Sequence, residues 1–226
     1  MNKKPLISIV MSVYNAENCI QEAIESLLQQ TYKNIEILIM DDGSTDTTWE
    51  ILKQYKNVDK RISLFSNKKN IGLTKSLNIL ISKSKGEYIA RQDADDISLP
   101  ERFQTQFQLI EKHNLDFCTA RAIVKNSNRK IPFLSFYIPK RFILKFKNPF
   151  IHGTLIINKE VLIKIGLYDE KYYYSQDYLL MRRLLMNRYK YKFIKKPLYI
   201  LNTSNNISSL KKEEQQKYAK AARKEF

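Results

Sequence analysis

Carboxylates gather twice in this chain where an apolar run ends. Residues 35–40 lead into Asp41 and Asp42, in DDGSTD, and residues 88–91 lead into Asp93, Asp95 and Asp96, in RQDADD. In an open α/β sheet, ligands bind in the crevice outside the carboxyl ends of the strands, so both clusters are expected to face one crevice. Asp93 and Asp95, at i and i+2, can offer two carboxylates to one hard cation, or divide a cation and a ribose between them. A turn with a helix cap accounts for Ser44 and Asp46 without any ligand. It does not account for a second acidic group behind another buried strand, where mutual repulsion is costly without a cation. A D-x-D spacing alone is a weak signal. Two acidic clusters at strand ends in this order are a stronger one.

The elements that must position these groups are legible as alternating apolar runs and amphipathic stretches, the pattern of a mostly parallel sheet flanked by helices. Residues 6–13 form a continuous apolar run, suited to a strand covered on both faces. Ile20, Ala23, Ile24, Leu27 and Leu28 then recur at helical spacing. A second buried strand is expected over 35–40. Ser44 or Thr45 is placed to cap the helix that carries Trp49, Ile51, Leu52 and Tyr55. A strand over 62–65, a helix over 74–82 and a fourth strand over 88–91 follow. Pro100 suits the first turn of a helix over 101–113, and 117–124 reads as another strand.

Beyond Lys125 the regularity weakens. The stretch NSNRKIPFLSFYIPK reads as loop and edge strand, HGTLIIN as strand, 159–165 as a short helix ended by Gly166, and 176–187 as a longer helix. Two late strands are expected over 191–194 and 198–201, then a basic amphipathic helix over 208–226. The reading is one α/β domain in two halves, 1–124 and 125–207, with the helix 208–226 behind them.

Composition narrows the classes. With 226 residues, 43% hydrophobic and 27% charged, the chain is ordinary globular material. Two cysteines, Cys19 and Cys118, make neither a disulfide framework nor a four-cysteine zinc site and read as small buried hydrophobes. No apolar stretch approaches the roughly 20 residues of a membrane span, and the first residues read as a buried strand, not a signal peptide. A soluble, cytoplasmic protein is expected. The net charge of +16 is uneven: residues 139–226 carry 20 basic and 7 acidic side chains, the first 138 carry 19 and 16. A basic second half suits nucleic acid, an anionic membrane or an anionic substrate, and equally a lysine-rich solvated surface.

The five glycines form neither GxGxxG nor a P-loop, which argues against a dinucleotide-binding enzyme and a P-loop NTPase. The first strand lacks the glycine-rich turn of sugar-phosphate nucleotidyltransferases. A nucleotide bound here must be held by carboxylates and a metal.

Six segments together resemble the family 2 glycosyltransferases of GT-A fold: ISIVMSVYNAENCIQEAIESLLQQTY, IEILIMDDGSTDTT, NIGLTKSLN, GEYIARQDADDISLPERFQTQ, HGTLIINKEVL and YYYSQDYLLMRRLL. They span roughly residues 6–187 in the family's order, and look most like bacterial members that build surface glycans. The resemblance implies a Rossmann-like, mostly parallel central sheet with a smaller acceptor-side subregion. It implies that Ser12, Tyr14 and Asn15 border the nucleotide base with Glu17 beside them, and that Asp41 hydrogen-bonds the base, typically uracil. Asp93 is then turned toward the ribose or sugar and shares Mn2+ or Mg2+ with Asp95, the metal ligand. Asp177, in SQDYLL, is the carboxylate that deprotonates the acceptor. The implied activity is inverting transfer of a hexosyl or N-acetylhexosaminyl group from a UDP-sugar donor to a glycan or lipid-linked acceptor.

The chain departs from the family at Ser76-Leu77-Asn78, where a basic residue is frequent; Lys75 or Arg91 is expected to supply the phosphate contact. Gln176-Asp177 replaces the usual Glu-Asp pair, and Leu179 and Met181 stand where relatives often show Asp and Trp. His152 is either a contact to pyrophosphate or acceptor, or a structural histidine, and His113 is a helix-end residue. Tyr172, Tyr173 and Tyr174 suit either an acceptor platform or an exposed loop. Asp177 without the family would read as a favourable charge at a helix start. Lys211, Lys212, Lys217, Lys220, Arg223 and Lys224 are expected to hold the enzyme peripherally against anionic lipid at the inner membrane face. The competing classes are a basic nucleic-acid-binding domain, hinted at by KYKYKFIKK, and a degenerate transferase scaffold. The first leaves both acidic clusters unexplained, the second the retained Asp93, Asp95 and Asp177, so no nucleic acid is expected.

Overall fold

The structure, a computed structural model, describes residues 4–204 and 211–225. In the first half, β1 (Ile7–Val13), α1 (Ile20–Leu28), β2 (Ile35–Asp41), α2 (Thr48–Val58), β3 (Ile62–Ser66), α3 (Leu73–Lys83) and β4 (Tyr88–Arg91) alternate. β1 pairs in parallel with β2 and β4, and β2 in parallel with β3. The register Val13↔Asp41 and Val10↔Arg91 brings the carboxyl ends of β1, β2 and β4 to one edge of the sheet. β1 is buried on both sides because its alternate residues enter two cores. Ile9 and Met11 pack with α1 and with Phe103 and Phe107, whereas Val10 packs with Leu77, Leu80 and Ile81 of α3.

The rest of the chain adds β5 (Ile97–Ser98), α4 (Arg102–His113), β6 (Phe117–Val124), β7 (Lys130–Ile131), α5 (Lys140–Ile143), β8 (Ile156–Asn158), α6 (Lys159–Lys164), α7 (Gln176–Met186), β9 (Tyr191–Leu201) and α8 (Lys212–Lys224). The strand order is β3-β2-β1-β4-β8-β6-β9-β5, with β7 on β6. β8 runs antiparallel to both β4 and β6, so it is the strand that joins the parallel β1–β4 set to β6 and β9 in one sheet. Among the described residues no helix is long and apolar enough to cross a membrane.

Several expected boundaries move for identifiable reasons. α2 begins at Thr48 with Thr47 as its N-cap, not at Ser44 or Thr45. Those two residues are used elsewhere: Asn15 N donates to Ser44 Oγ (3.0 Å) and Thr45 N to Asn15 Oδ1 (2.8 Å). Pro100 precedes α4 instead of opening it, and its carbonyl accepts from Thr31 N. His152–Thr154 is a 3-10 turn, not strand, because the Thr154 hydroxyl bonds back to Ile151 O (2.7 Å). The two late strands are one, β9. Its register jumps from Ala120↔Ile194 to Arg121↔Pro197, so the proline, which has no N–H to give the ladder, falls at a bulge.

The C-terminal helix is docked. Ala222 is fully buried, and the ring of Tyr218 packs against Tyr172 and Tyr174 (5.9 Å each). Arg183 of α7 pairs with Asp169 (2.8 Å) and Glu225 (3.4 Å), and Arg223 donates to Phe146 O (2.8 Å). Ser208, Ser209, Leu210 and Phe226 lie outside the described residues.

Candidate active site

The loops after β1 and β2 are laced together. Besides the Asn15 bonds, Glu17 accepts from Thr47 N (3.0 Å) and from the Thr47 hydroxyl (2.7 Å). Ser12 is half-buried near the end of β1, and Tyr14 stands 48% exposed at the rim. Asp41 and Asp42 have different surroundings although both are buried. Asp42 accepts from Asn67 Nδ2 (2.8 Å), Ile71 N (3.0 Å) and Gly72 N (2.9 Å), so its charge is spent on holding the turn into α3. Asp41 receives one long bond, from Ser44 N at 3.4 Å, which leaves acceptor capacity for a ligand.

The second cluster rests on a buried polar scaffold. Arg102 is fully buried and donates to Arg91 O (2.8 Å), Gln92 Oε1 (3.1 Å), Ser98 Oγ (2.8 Å) and Gln106 Oε1 (3.1 Å), while stacking on Tyr199. Gln106 in turn donates to Thr154 O (2.7 Å). Burial lowers the Arg102 guanidinium to about 10, still charged at neutral pH. Tyr199 receives the N–H of Asp93 (3.1 Å). Helix, strand and 3-10 turn are thereby locked around the DADD turn. Arg102, Gln106 and Tyr199 brace this turn, and no sequence motif singled them out. The available signal was a polar pair at i and i+4 on the same stripe as Phe103, Phe107 and Ile110.

Arg91, 2% exposed, forms an ion pair with Asp93 at 2.5 Å, and among the described residues its buried Nε has no hydrogen-bond partner. Lys75, by contrast, lies exposed on the first turn of α3. Of the two basic residues expected to meet phosphate, Arg91 is the one brought to the carboxylates. Burial and the charge of Asp93 raise the pKa of Asp95. Asp96, accepting from Asn202 N (2.7 Å), is pushed to about 8 by burial and by both neighbouring aspartates. Among the described residues no set of three or more His, Cys, Asp or Glu forms a ready metal cage. Two crowded carboxylates nevertheless fit Mg2+ or Mn2+, which take one or two such ligands and complete their shell with substrate phosphates and water.

The acceptor-side residues come from far along the chain. Gly153 sits so close to the cluster that a Cβ there would overlap the Tyr199 hydroxyl and stand 2.8 Å from Asp93 Oδ2. His152 Nε2 shares a 2.7 Å hydrogen bond with the Tyr168 hydroxyl. Burial, then the charge of Arg91, lowers its imidazole to about 4, against weaker opposing pulls from Asp177 and Asp93. Arg91, Asp93, Asp177, His152 and Tyr168 therefore share one electrostatic neighbourhood. Asp177 is the second residue of α7, and its Oδ2 accepts from Asn148 Nδ2 (2.8 Å). The three tyrosines divide: Tyr172 and Tyr174 pack on α8, while Tyr173 is half-exposed with its ring edge over Gly72. His113 is exposed at the end of α4.

A parallel sheet continued by antiparallel strands, with carboxylates at the strand ends and a further aspartate on a late helix, defines a GT-A-type transferase fold. The family model "Glycosyl transferase family 2" matches residues 8–186, and the chain belongs to that family. An uncharacterised glycosyltransferase of Methanocaldococcus jannaschii is 35% identical over 95% of this chain and 78% of its own length. The O-antigen biosynthesis glycosyltransferase WbnJ of Escherichia coli is 33% identical over 80% of this chain and 72% of its own. Among solved structures, S. aureus TarS in complex with UDP superposes with a TM-score of 0.77 at 21% identity, covering 96% of this chain. The mannosyltransferase PcManGT of Pyrobaculum calidifontis, in complex with GDP-Man and Mn2+, gives 0.75 at 18% identity and 98% coverage. The chain spans 64% and 65% of those two structures.

Proposed function

We propose that the protein is a metal-dependent, inverting glycosyltransferase that moves a hexosyl or N-acetylhexosaminyl group from a UDP-sugar to a glycan, carried on lipid at the inner face of the cell membrane, in surface polysaccharide synthesis. What supports this reading is that the Arg91–Asp93 pair (2.5 Å) lies against Gly153, next to His152, whose imidazole also feels the charge of Asp177, although 84 positions separate the two aspartates. Complexes of the structural neighbours with UDP-GlcNAc, UDP and GDP-Man support a nucleotide-sugar donor.

In this reading Asp41 accepts a hydrogen bond from the base, with Ser12, Tyr14, Asn15 and Glu17 bordering it. Arg91 faces the diphosphate, and Lys75 lies outside the site. Asp93 and Asp95 would hold Mg2+ or Mn2+, which when bound supplies counter-charge to the leaving diphosphate. Asp177 takes the proton from the acceptor hydroxyl as its oxygen attacks the anomeric carbon. The carbon–oxygen bond to the diphosphate breaks on the opposite face, its electron pair leaving with the phosphate, so the configuration inverts. One base suffices, unlike the paired carboxylates of glycosidases. His152, neutral above about pH 4, serves as a contact to the pyrophosphate or acceptor.

The test is hydrolysis and transfer with a panel of UDP- and GDP-sugars, with and without Mn2+. Turnover of one donor that stops in EDTA is the expected result; binding and turnover of none overturns the reading.

A further inference from the structure

Five of the ten large apolar side chains that stand exposed among the described residues lie within fifteen positions of one another. Phe133, Leu134, Tyr137, Phe142 and Phe146 are each between 55% and 72% exposed. Their surroundings are basic. From Phe117 to Lys159 the chain carries nine lysines and arginines and no aspartate or glutamate, and Arg141, Lys145 and Lys147 are exposed beside the phenylalanines. Isolated exposed apolar residues need no explanation, but five in one short segment, two of them with rings in contact, do.

The segment is braced from beneath. The buried Lys140 ammonium donates to the carbonyls of Ser135, Phe136 and Ile138 and lies over the rings of Phe136 and Phe193 (5.2 and 5.3 Å). That closes the turn that presents Phe133, Leu134 and Tyr137. Ile143 and Leu144 bury the inner side of α5, so Phe142 and Phe146, with rings 5.5 Å apart, are held outward. The segment is also braced on the helix of the proposed base: Tyr178 and Arg182 both donate to Leu144 O, and Asn148 donates to Asp177.

We propose that residues 133–147 form a foot that seats in the headgroup region of a bilayer bearing anionic lipid. Aromatic side chains enter that boundary with their apolar bodies, while arginine and lysine meet the lipid phosphates. The absence of any carboxylate over 43 residues is the charge complement of that surface. A contact through the C-terminal lysines has less to offer: α8 carries Glu213 and Glu214, buries Ala222 against the body, and commits Arg223 to a carbonyl. This proposal rests on the reaction assigned above only for its purpose, the reach to a lipid-borne acceptor.

Co-sedimentation with vesicles of phosphatidylcholine, and of phosphatidylcholine with 30 mol% (about one lipid in three) phosphatidylglycerol, tests it without donor or acceptor. The full chain should bind the anionic vesicles about tenfold more strongly, a preference that salt erodes. Phe142→Ser with Phe146→Ser, and separately Arg141→Glu with Lys145→Glu, should each lose most of that binding with melting temperature unchanged. Lys217→Glu with Lys220→Glu should lose little. Phe142→Trp should be quenched by brominated lipid beyond the signal of the native Trp49. Loss of binding in the tail variant alone, or binding unchanged in the patch variants, overturns the proposal. So does a concentration-dependent dimer that the patch variants abolish, which would make this face a contact between two copies.

Discussion

Asn148 Nδ2 donates a 2.8 Å hydrogen bond to Asp177 Oδ2, while Asn148 Oδ1 accepts from Phe150 N at 3.0 Å. The amide is held at both ends, and in the proposed reaction it would orient the carboxylate and leave the other oxygen, Oδ1, for the acceptor proton. Asp177→Asn should lower kcat by about 10²–10⁴-fold with UDP affinity unchanged by calorimetry. Asn148→Ala should lower kcat by about tenfold, again with unchanged UDP affinity, since the base survives but its orientation does not. A parallel loss of UDP binding in either variant would place Asp177 in donor binding instead.

Asp95→Ala should abolish transfer and weaken binding of UDP measured with Mn2+, because the diphosphate loses its counter-charge. Without metal, the variant and the parent should bind UDP equally poorly. Full activity of the parent in excess EDTA would remove the cation from the mechanism.

Asp41→Asn should reduce UDP affinity by about tenfold, the size of one charge-assisted hydrogen bond, with the melting temperature preserved. Asp42→Asn should do the reverse. Asp42 holds three donors of the turn into α3, so its substitution should lower stability by about 1–3 kcal/mol. Equal behaviour of the two variants would contradict the division of labour between these neighbours.

Gly153→Ala places a methyl against Tyr199 and 2.8 Å from Asp93 Oδ2. Overpacking of this kind costs about 1–3 kcal/mol, and here the strain falls on a proposed metal ligand. The expected outcome is a lower melting temperature together with a higher Mn2+ concentration for half-maximal activity. Adding Tyr199→Phe removes one of the crowded atoms and should recover part of the stability but not the metal response.

His152 is lowered to about 4 from an ordinary 6.5. The folded state thus favours the neutral ring. Between those two values the unfolded chain binds more protons, so this residue's contribution to stability is complete above pH 6.5 and is lost as pH falls toward 4. Melting temperatures of the parent and His152→Gln across pH 4–7 isolate the effect: the parent should decline more steeply between 6.5 and 4.

How far the sequence alone reached depended on the range of the forces involved. The parallel part of the sheet was legible because β1 and β2 are nearly unbroken apolar runs, the mark of strands covered on both faces. The carboxylates at strand ends were legible for the same reason, since a strand that ends in Asp41 or just before Asp93 declares where its edge lies. Local hydrogen-bond competition was not legible. Ser44 and Thr45 carry good capping side chains, yet Asn15, thirty positions earlier, claims both, and no pattern in DDGSTD announces that partner. The continuity of β9 was hidden by Pro197, which breaks the period although a bulge accommodates it. The assembly of the site was decided by tertiary structure alone. Antiparallel β8 carries the 3-10 turn of His152–Thr154 up to Asp93, buried Arg102 ties α4 to the DADD turn, and Asn148 aims Asp177. These contacts join residues tens of positions apart through single, directional polar bonds. Such bonds leave no periodic trace in the chain, because their geometry exists only once the apolar faces have packed.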